Sequence, residues 1–302
     1  MGICCAILSV LLFSSFTLAS RLGLRSSLML PDLAALRFGI GGALLLPVLL
    51  RHGLRRLPWR RAAALALLGG LGFALLAYTG FSLAPAAHGA VLLHGTLPLF
   101  SHLLAPAPGA EGRTRRLAGI VLIAAGVALM ACDSLSVASA RQLAGDGFLL
   151  LASLSWSAYG ALSRRSGLPP AVGAAAVAVL SMCGFLPLYA LLPGKALLQA
   201  APGELLLQAV VQGALIGAVS IFVYTRAVAA LGAAETALLA AAVPCITTLA
   251  AIPLLSEVPT AAALAGVGVV TAGMVVARSP GPIRLEASRC DKRTAPGRRG
   301  AV

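Results

Sequence analysis

The sequence predicts an all-α membrane protein of ten transmembrane helices, built as two inverted-topology five-helix repeats. Three observations carry this. Hydrophobic residues make up 59% of the 302 and charged residues 11%, with a mean hydropathy of +0.96. A soluble domain carries about a quarter charged residues, so lipid is the solvent for most of this chain. The apolar residues fall into ten runs of near-spanning length. Finally, one frame is written twice: Tyr78-Thr79, Pro98 and Glu111 recur as Tyr224-Thr225, Pro244 and Glu257, each 146 residues later. Matches at one offset with no gap are read as internal duplication.

A spanning helix needs about 20 apolar residues to cross about 30 Å of hydrocarbon. The runs are 3–20, 32–50, 62–83, 86–105, 116–131, 146–163, 170–192, 204–225, 233–254 and 260–277. The first follows Met1-Gly2 with no basic segment before it, so it is a first helix and not a signal peptide. The second opens after Pro31 and ends at the Arg-rich stretch 51–61, which starts the third. Pro85 separates the third from the fourth, and Pro106-Ala107-Pro108-Gly109 closes the fourth. The fifth and tenth share a glycine pattern, Gly119 and Gly126 against Gly266 and Gly273, after a one-residue slip. The remaining breaks are Gly145, 167–170, Pro193-Gly194, Gly232 and Pro259. The repeats occupy 1–132 and 145–278, and a basic Pro- and Gly-rich tail, 279–302, reads as disordered on the cytoplasmic leaflet.

Lys and Arg in short loops set orientation. With a cytoplasmic N-terminus and ten spans, 18 of the 23 fall on the cytoplasmic side, including the tail, and 4 on the other. The protein is therefore expected in a cell (plasma or inner) membrane with both termini cytoplasmic. Five spans per repeat is odd, so the second repeat enters from the opposite face. The loop bearing Glu111 is then cytoplasmic and that bearing Glu257 external. Inverted repeats are the architecture of many secondary transporters, with the substrate site near the midplane.

Other classes fit poorly. The net charge of +14 comes from arginines between apolar spans, not from a basic face interleaved with aromatics, so nucleic acid is not an expected partner. The six cysteines show no CxxC spacing and no histidine partners, so neither disulfides, a metal nor a cofactor is expected. HExxH and GxSxG are lacking, and Asp32, Asp133, Asp146 and Asp291 fall at predicted loops, helix starts or the tail. This argues against an intramembrane enzyme. Channels are usually subunit rings with repeated filter segments, whereas a single-chain inverted duplication favours a carrier. The partners expected are a small-molecule substrate and the bilayer, with monomer and homodimer both open.

The stretch Leu33-Ala34-Ala35-Leu36-Arg37-Phe38, the doubled Tyr…Pro…Glu frame, and Leu154-Ser155-Trp156-Ser157-Ala158-Tyr159 followed by Arg164-Arg165 resemble the EamA-type, ten-helix members of the drug/metabolite transporter superfamily. The resemblance runs to about Arg278. It implies movement of small metabolites, amino acids and their relatives among them, often as export; a proton-coupled drug exporter or a nucleotide-sugar-like exchanger is the alternative. The family's usual Trp in the first helix is replaced here by the Val10, Leu11 and Phe13 region.

Ionisable groups inside spans are costly and are the first functional candidates. Arg37 lies five residues into its run, where it either faces a central cavity and attracts a carboxylate or phosphate or snorkels to the interface. His94 is the deepest titratable group of the fourth run, a candidate for substrate binding or proton relay; His88, near the external end, ranks below it. Glu235, in the first turn of the ninth run, is a second coupling candidate. Tyr78, Tyr224, Trp156 and Tyr159 are candidates for an aromatic lining. Pro98 and Pro244 sit mid-span at matching places, and broken helices in matching positions point to a transporter site.

Overall fold

A computed structural model describes residues 2–53, 58–104, 112–136, 139–231 and 239–277. All its regular elements are helical. The first three helices are α1 (Gly2–Arg25), α2 (Leu30–His52) and α3 (Trp59–Leu83), the last holding a π-helical stretch at Leu67–Leu71. The fourth, α4, comes in three pieces: Ala86–Gly89, a π-helical Ala90–Gly95 and Leu97–Leu104. Then follow α5 (Arg113–Ser136), α6 (Ala140–Ser166) and α7 (Pro170–Leu191). The eighth, α8, is Pro202–Gln208, a π-helical Ala209–Val219 and Ser220–Leu231; α9 is Ala242–Leu255 and α10 is Ala261–Ala277. Glu111, Glu235, Gly232 and the tail lie outside the described residues.

Every helix has a counterpart among the expected runs, but the boundaries differ where polar residues disguise them. Six helices, α1, α2, α3, α5, α7 and the first two pieces of α8, are long and apolar enough to cross a membrane, with α9 and α10 as shorter apolar helices. The break expected at Gly145 is absent. Instead α6 begins at Ala140, where the Ser139 side chain accepts from the Gln142 N–H and caps it. Gly145 serves close packing: a Cβ there would meet Leu83 and the Ala84 nitrogen. Asp133, expected in a loop, is therefore helical and buried, and Asp146, expected at a helix start, lies inside α6 and is buried.

The two prolines do break helices, one turn before themselves. Pro98 lacks an N–H, so the His94 carbonyl loses its helical partner, and the helix is interrupted at Thr96 after a π-helical turn. Pro244 acts alike on Ala240, and α9 restarts after a turn at Ala241. Thr96 covers part of the gap: its hydroxyl bonds to the Leu92 carbonyl at 2.7 Å and to Ser153 of α6 at 2.8 Å.

Packing follows the repeat. α1 packs on α8 as α6 packs on α3, α1 on α9 as α6 on α4, and α2 pairs with α7. Exchanging each helix for the one five places later leaves these pairings unchanged. The tightest reciprocity is between α5 and α10. A Cβ on Gly119 would strike Ala277 and one on Gly273 would strike the Gly119 carbonyl, while Gly126 and Gly266 oppose each other at the other end. Rising numbers on one helix meet falling numbers on the other, so the two run antiparallel. The contact is self-complementary, as at a two-fold interface, and its small residues permit close approach. The main core draws on both halves, from Phe16, Leu33, Phe73, Phe81 and Leu92 to Ile123, Leu149, Phe185, Ile216 and Val270.

Candidate functional site

Arg37 lies at the centre of the molecule and does not snorkel. It is 8% exposed, and its guanidinium carbon lies 4.9 Å from the Phe16 ring centroid and 5.6 Å from that of Phe73. Cation–π attraction of this kind is worth about 2 kcal/mol when desolvated. The Tyr78 hydroxyl is beside the guanidinium. Arg37 Nη1 is buried and has no hydrogen-bond partner among the described residues. A buried, unpaired guanidinium nitrogen is expensive, and a bound anion removes that cost.

Two adjoining cavities open around this group, of about 60 and about 40 Å³, and Arg37, Trp156, Ile216 and Ser220 border both. The first repeat thus supplies the cation and the second much of the opposite wall. Phe13, Phe16, Phe73 and His94 close the smaller cavity; Gly69, Gly70, Tyr159 and Ser181 line the larger. Ligand pockets usually measure about 300–1,000 Å³, so these helices must part to admit a metabolite.

The aromatic wall depends on the π-helical stretch of α3. Gly69 and Gly70 occupy it, and the Tyr159 ring and Ser181 hydroxyl fill the space where Cβ atoms would stand. Side chains satisfy nearby carbonyls: Ser155 donates to Leu68 at 2.9 Å and Ser181 to Ala66 at 3.5 Å. Trp156 then stacks between Phe73 (4.7 Å) and Tyr159 (5.2 Å). Single-turn π segments recur at functional sites.

Of the residues singled out from sequence, Arg37, His94, Trp156 and Tyr159 converge on these cavities. His94 stacks on Phe13 at 5.8 Å, and its Nδ1 is buried without a hydrogen-bond partner among the described residues. Tyr78 borders neither cavity. It is fully buried and donates to Gln212 Oε1 at 3.1 Å, while Gln212 donates to Ser20 at 2.9 Å, tying α3, α8 and α1 together. Tyr224 is 40% exposed and has its ring 5.9 Å from that of Phe13. Pro98 and the buried Pro244 do not border the cavities either; their effect runs through the helix breaks. Phe16, Phe73, Gly69, Gly70 and Ser181 were not legible as site residues.

A second polar assembly closes one end of the bundle. Glu257, between α9 and α10, forms an ion pair with Arg21, lies 3.4 Å from Arg25, and accepts from the Ala86 N–H at 2.6 Å. The last contact places a carboxylate on the start of α4. Arg21 also donates to the Phe81 carbonyl at 2.6 Å. The repeated glutamate thus clasps α1, α4 and the α9–α10 connection.

A model of the EamA-like transporter family matches residues 1–132 and 143–279. The chain belongs to the EamA-like transporter family. Its match falls in two blocks, as the repeated frame does. One solved structure, titled "Crystal structure of protein", is similar to this EamA-like chain with a TM-score of 0.62 and 23% identity, over 91% of this chain and 96% of that one. At that identity the likeness speaks for the fold. No curated protein matches the sequence. The central cavity is accordingly the cavity of a transporter-family protein.

Proposed function

We propose that this EamA-like protein is a secondary transporter that exports small organic metabolites, such as amino acids or related compounds, by alternating access between inverted repeats. The observation that carries the substrate reading is Arg37, which borders a cavity walled by aromatic rings and whose Nη1 is buried without a hydrogen-bond partner among the described residues. A guanidinium there suits a carboxylate, and Phe73, Trp156 and Tyr159 suit an apolar or aromatic remainder. The reciprocal α5–α10 contact supports the inverted relation: the two halves oppose equivalent surfaces. Membership in a transporter family, loop charge and the lack of hydrolase motifs favour a carrier of the cell inner membrane over an enzyme. His94 and Glu235 are its candidate coupling groups.

Counterflow of a panel of labelled metabolites into proteoliposomes tests the reading. At least one carboxylate-bearing compound should exchange, and Arg37→Ala should cut that exchange about 30-fold or more, since loss of a buried charge contact costs about 2 kcal/mol or more. Product formation without net flux, or flux without counterflow, would overturn it.

A further inference from the structure

At the same end of the bundle as Glu257, three titratable groups from three helices meet around one imidazole. His88 of α4 places Nδ1 2.9 Å from Asp146 Oδ1 of α6 and Nε2 3.2 Å from Asp133 Oδ2 of α5. His88 is 1% exposed, and the carboxylates are 5% and 4% exposed. A fourth helix joins through Thr260, ahead of α10, which donates to Asp133 Oδ1 at 2.5 Å and accepts from the Ala263 N–H at 3.0 Å. Also near His88, among the described residues, are Gln142 of α6, 3.4 Å from Nε2, and Glu257 and Thr248, which line the same cavity of about 90 Å³. Arg21 and Arg25 of α1 lie on the far side of Glu257.

Counting protons gives this arrangement its meaning. A neutral imidazole has one N–H, and an ionised carboxylate only accepts. Two ring-nitrogen-to-carboxylate contacts therefore need one proton more than a neutral ring and two carboxylates possess. The ring becomes imidazolium or one carboxyl becomes acid; either way the closed geometry contains one added proton. The adjoining cavity is large enough for water, which supplies a route to solution.

We propose that His88, Asp133 and Asp146 form a proton-binding latch, in which one proton taken from the outer solution holds this end of the helix bundle shut. The proton comes from water and returns to water; no other bond changes. When it leaves, one of the two imidazole–carboxylate contacts is lost, which loosens α4 from α5 or from α6. Under the carrier reading, on which only the word "outer" and the link to transport rest, proton binding drives the protein towards its inward-open form. His94, which borders the other cavity, takes no part.

The test uses the full chain in lipid nanodiscs, with the native cysteines replaced and nitroxide labels at Ala140→Cys and Val258→Cys, two exposed positions flanking the latch. Pulsed electron–electron distances should show one short population at about pH 5 and a growing longer one towards about pH 9, a range that spans the histidine reference value. Asp133→Asn is the decisive variant. Its amide can donate to Nε2 while Nδ1–H serves Asp146, so the contacts are satisfied with no added proton. It should keep the short distance across the whole range, as should Asp146→Asn through the other tautomer. A wild-type distribution that ignores pH, or a transition that survives in both variants, overturns the proposal. The distances need no substrate, so the latch can fail while counterflow succeeds, and the reverse.

Discussion

Gly273 and Gly268 lie on one face and the other of α10, and substituting each by alanine separates packing from propensity. A Cβ on Gly273 would stand 2.8 Å from the Gly119 carbonyl oxygen and from the Ile123 nitrogen, both backbone atoms of α5. Backbone cannot rotate aside, so reaching ordinary contact at 3.4 Å requires the helices to part by about 0.6 Å. A gap of that size forfeits roughly a quarter or more of each dispersion contact, and overpacking of this kind costs about 1–3 kcal/mol. Alanine returns up to about 1 kcal/mol of helix propensity, leaving a net loss of up to roughly 2 kcal/mol. Gly268 has nothing within 4 Å of its would-be Cβ, so Gly268→Ala should be neutral or stabilising by up to about 1 kcal/mol. Unfolding of both variants in mixed detergent micelles, followed by circular dichroism, measures the difference. Equal stabilities would refute the close antiparallel contact between α5 and α10.

Three further outcomes are expected. Tyr78→Phe leaves Gln212 Oε1 without its donor in a buried site and should lower stability by about 1–3 kcal/mol; because the hydroxyl also lies beside the Arg37 guanidinium, the affinity measured by counterflow should shift, but by less than in Arg37→Ala. Glu257→Gln keeps a group to accept from Ala86 but loses both arginine pairs; with Glu257 12% exposed, the loss should be about 2–4 kcal/mol, somewhat under that of a fully buried pair. His94→Gln should raise the KM for exchange about 10-fold, in line with the loss of one polar contact at about 1.4 kcal/mol, and should leave the pH dependence of flux intact. Loss of pH-gradient-driven flux with exchange preserved would instead make His94 the coupling group.

The helices were legible because a membrane imposes long apolar runs, and the repeat was legible because Tyr, Thr, Pro and Glu recur at one offset. Arg37 stood out as a cation within an apolar run, and Trp156 as a ring too deep for the interface. What stayed hidden depends on distant pieces of chain. His88 meets residues 45 and 58 positions away, and no local period encodes such a meeting. Asp133 was placed in a loop because a carboxylate just past an apolar run looks like the end of the helix. Gly69 and Gly70 carry no local mark of the Tyr159 ring and Ser181 hydroxyl that lie against them. Tyr78 shared its motif with Tyr224, yet one is buried and the other 40% exposed. Duplication conserves sequence position better than environment.

The relation between the halves can be measured without knowing the substrate. Single cysteines at Arg113 and Val258, exposed positions ahead of α5 and α10, are labelled in intact cells with a membrane-impermeant thiol reagent. Val258→Cys should react from outside and Arg113→Cys only after permeabilisation. Reaction of both from the same face would contradict the inverted pairing of the two repeats and the shared cavity that depends on it.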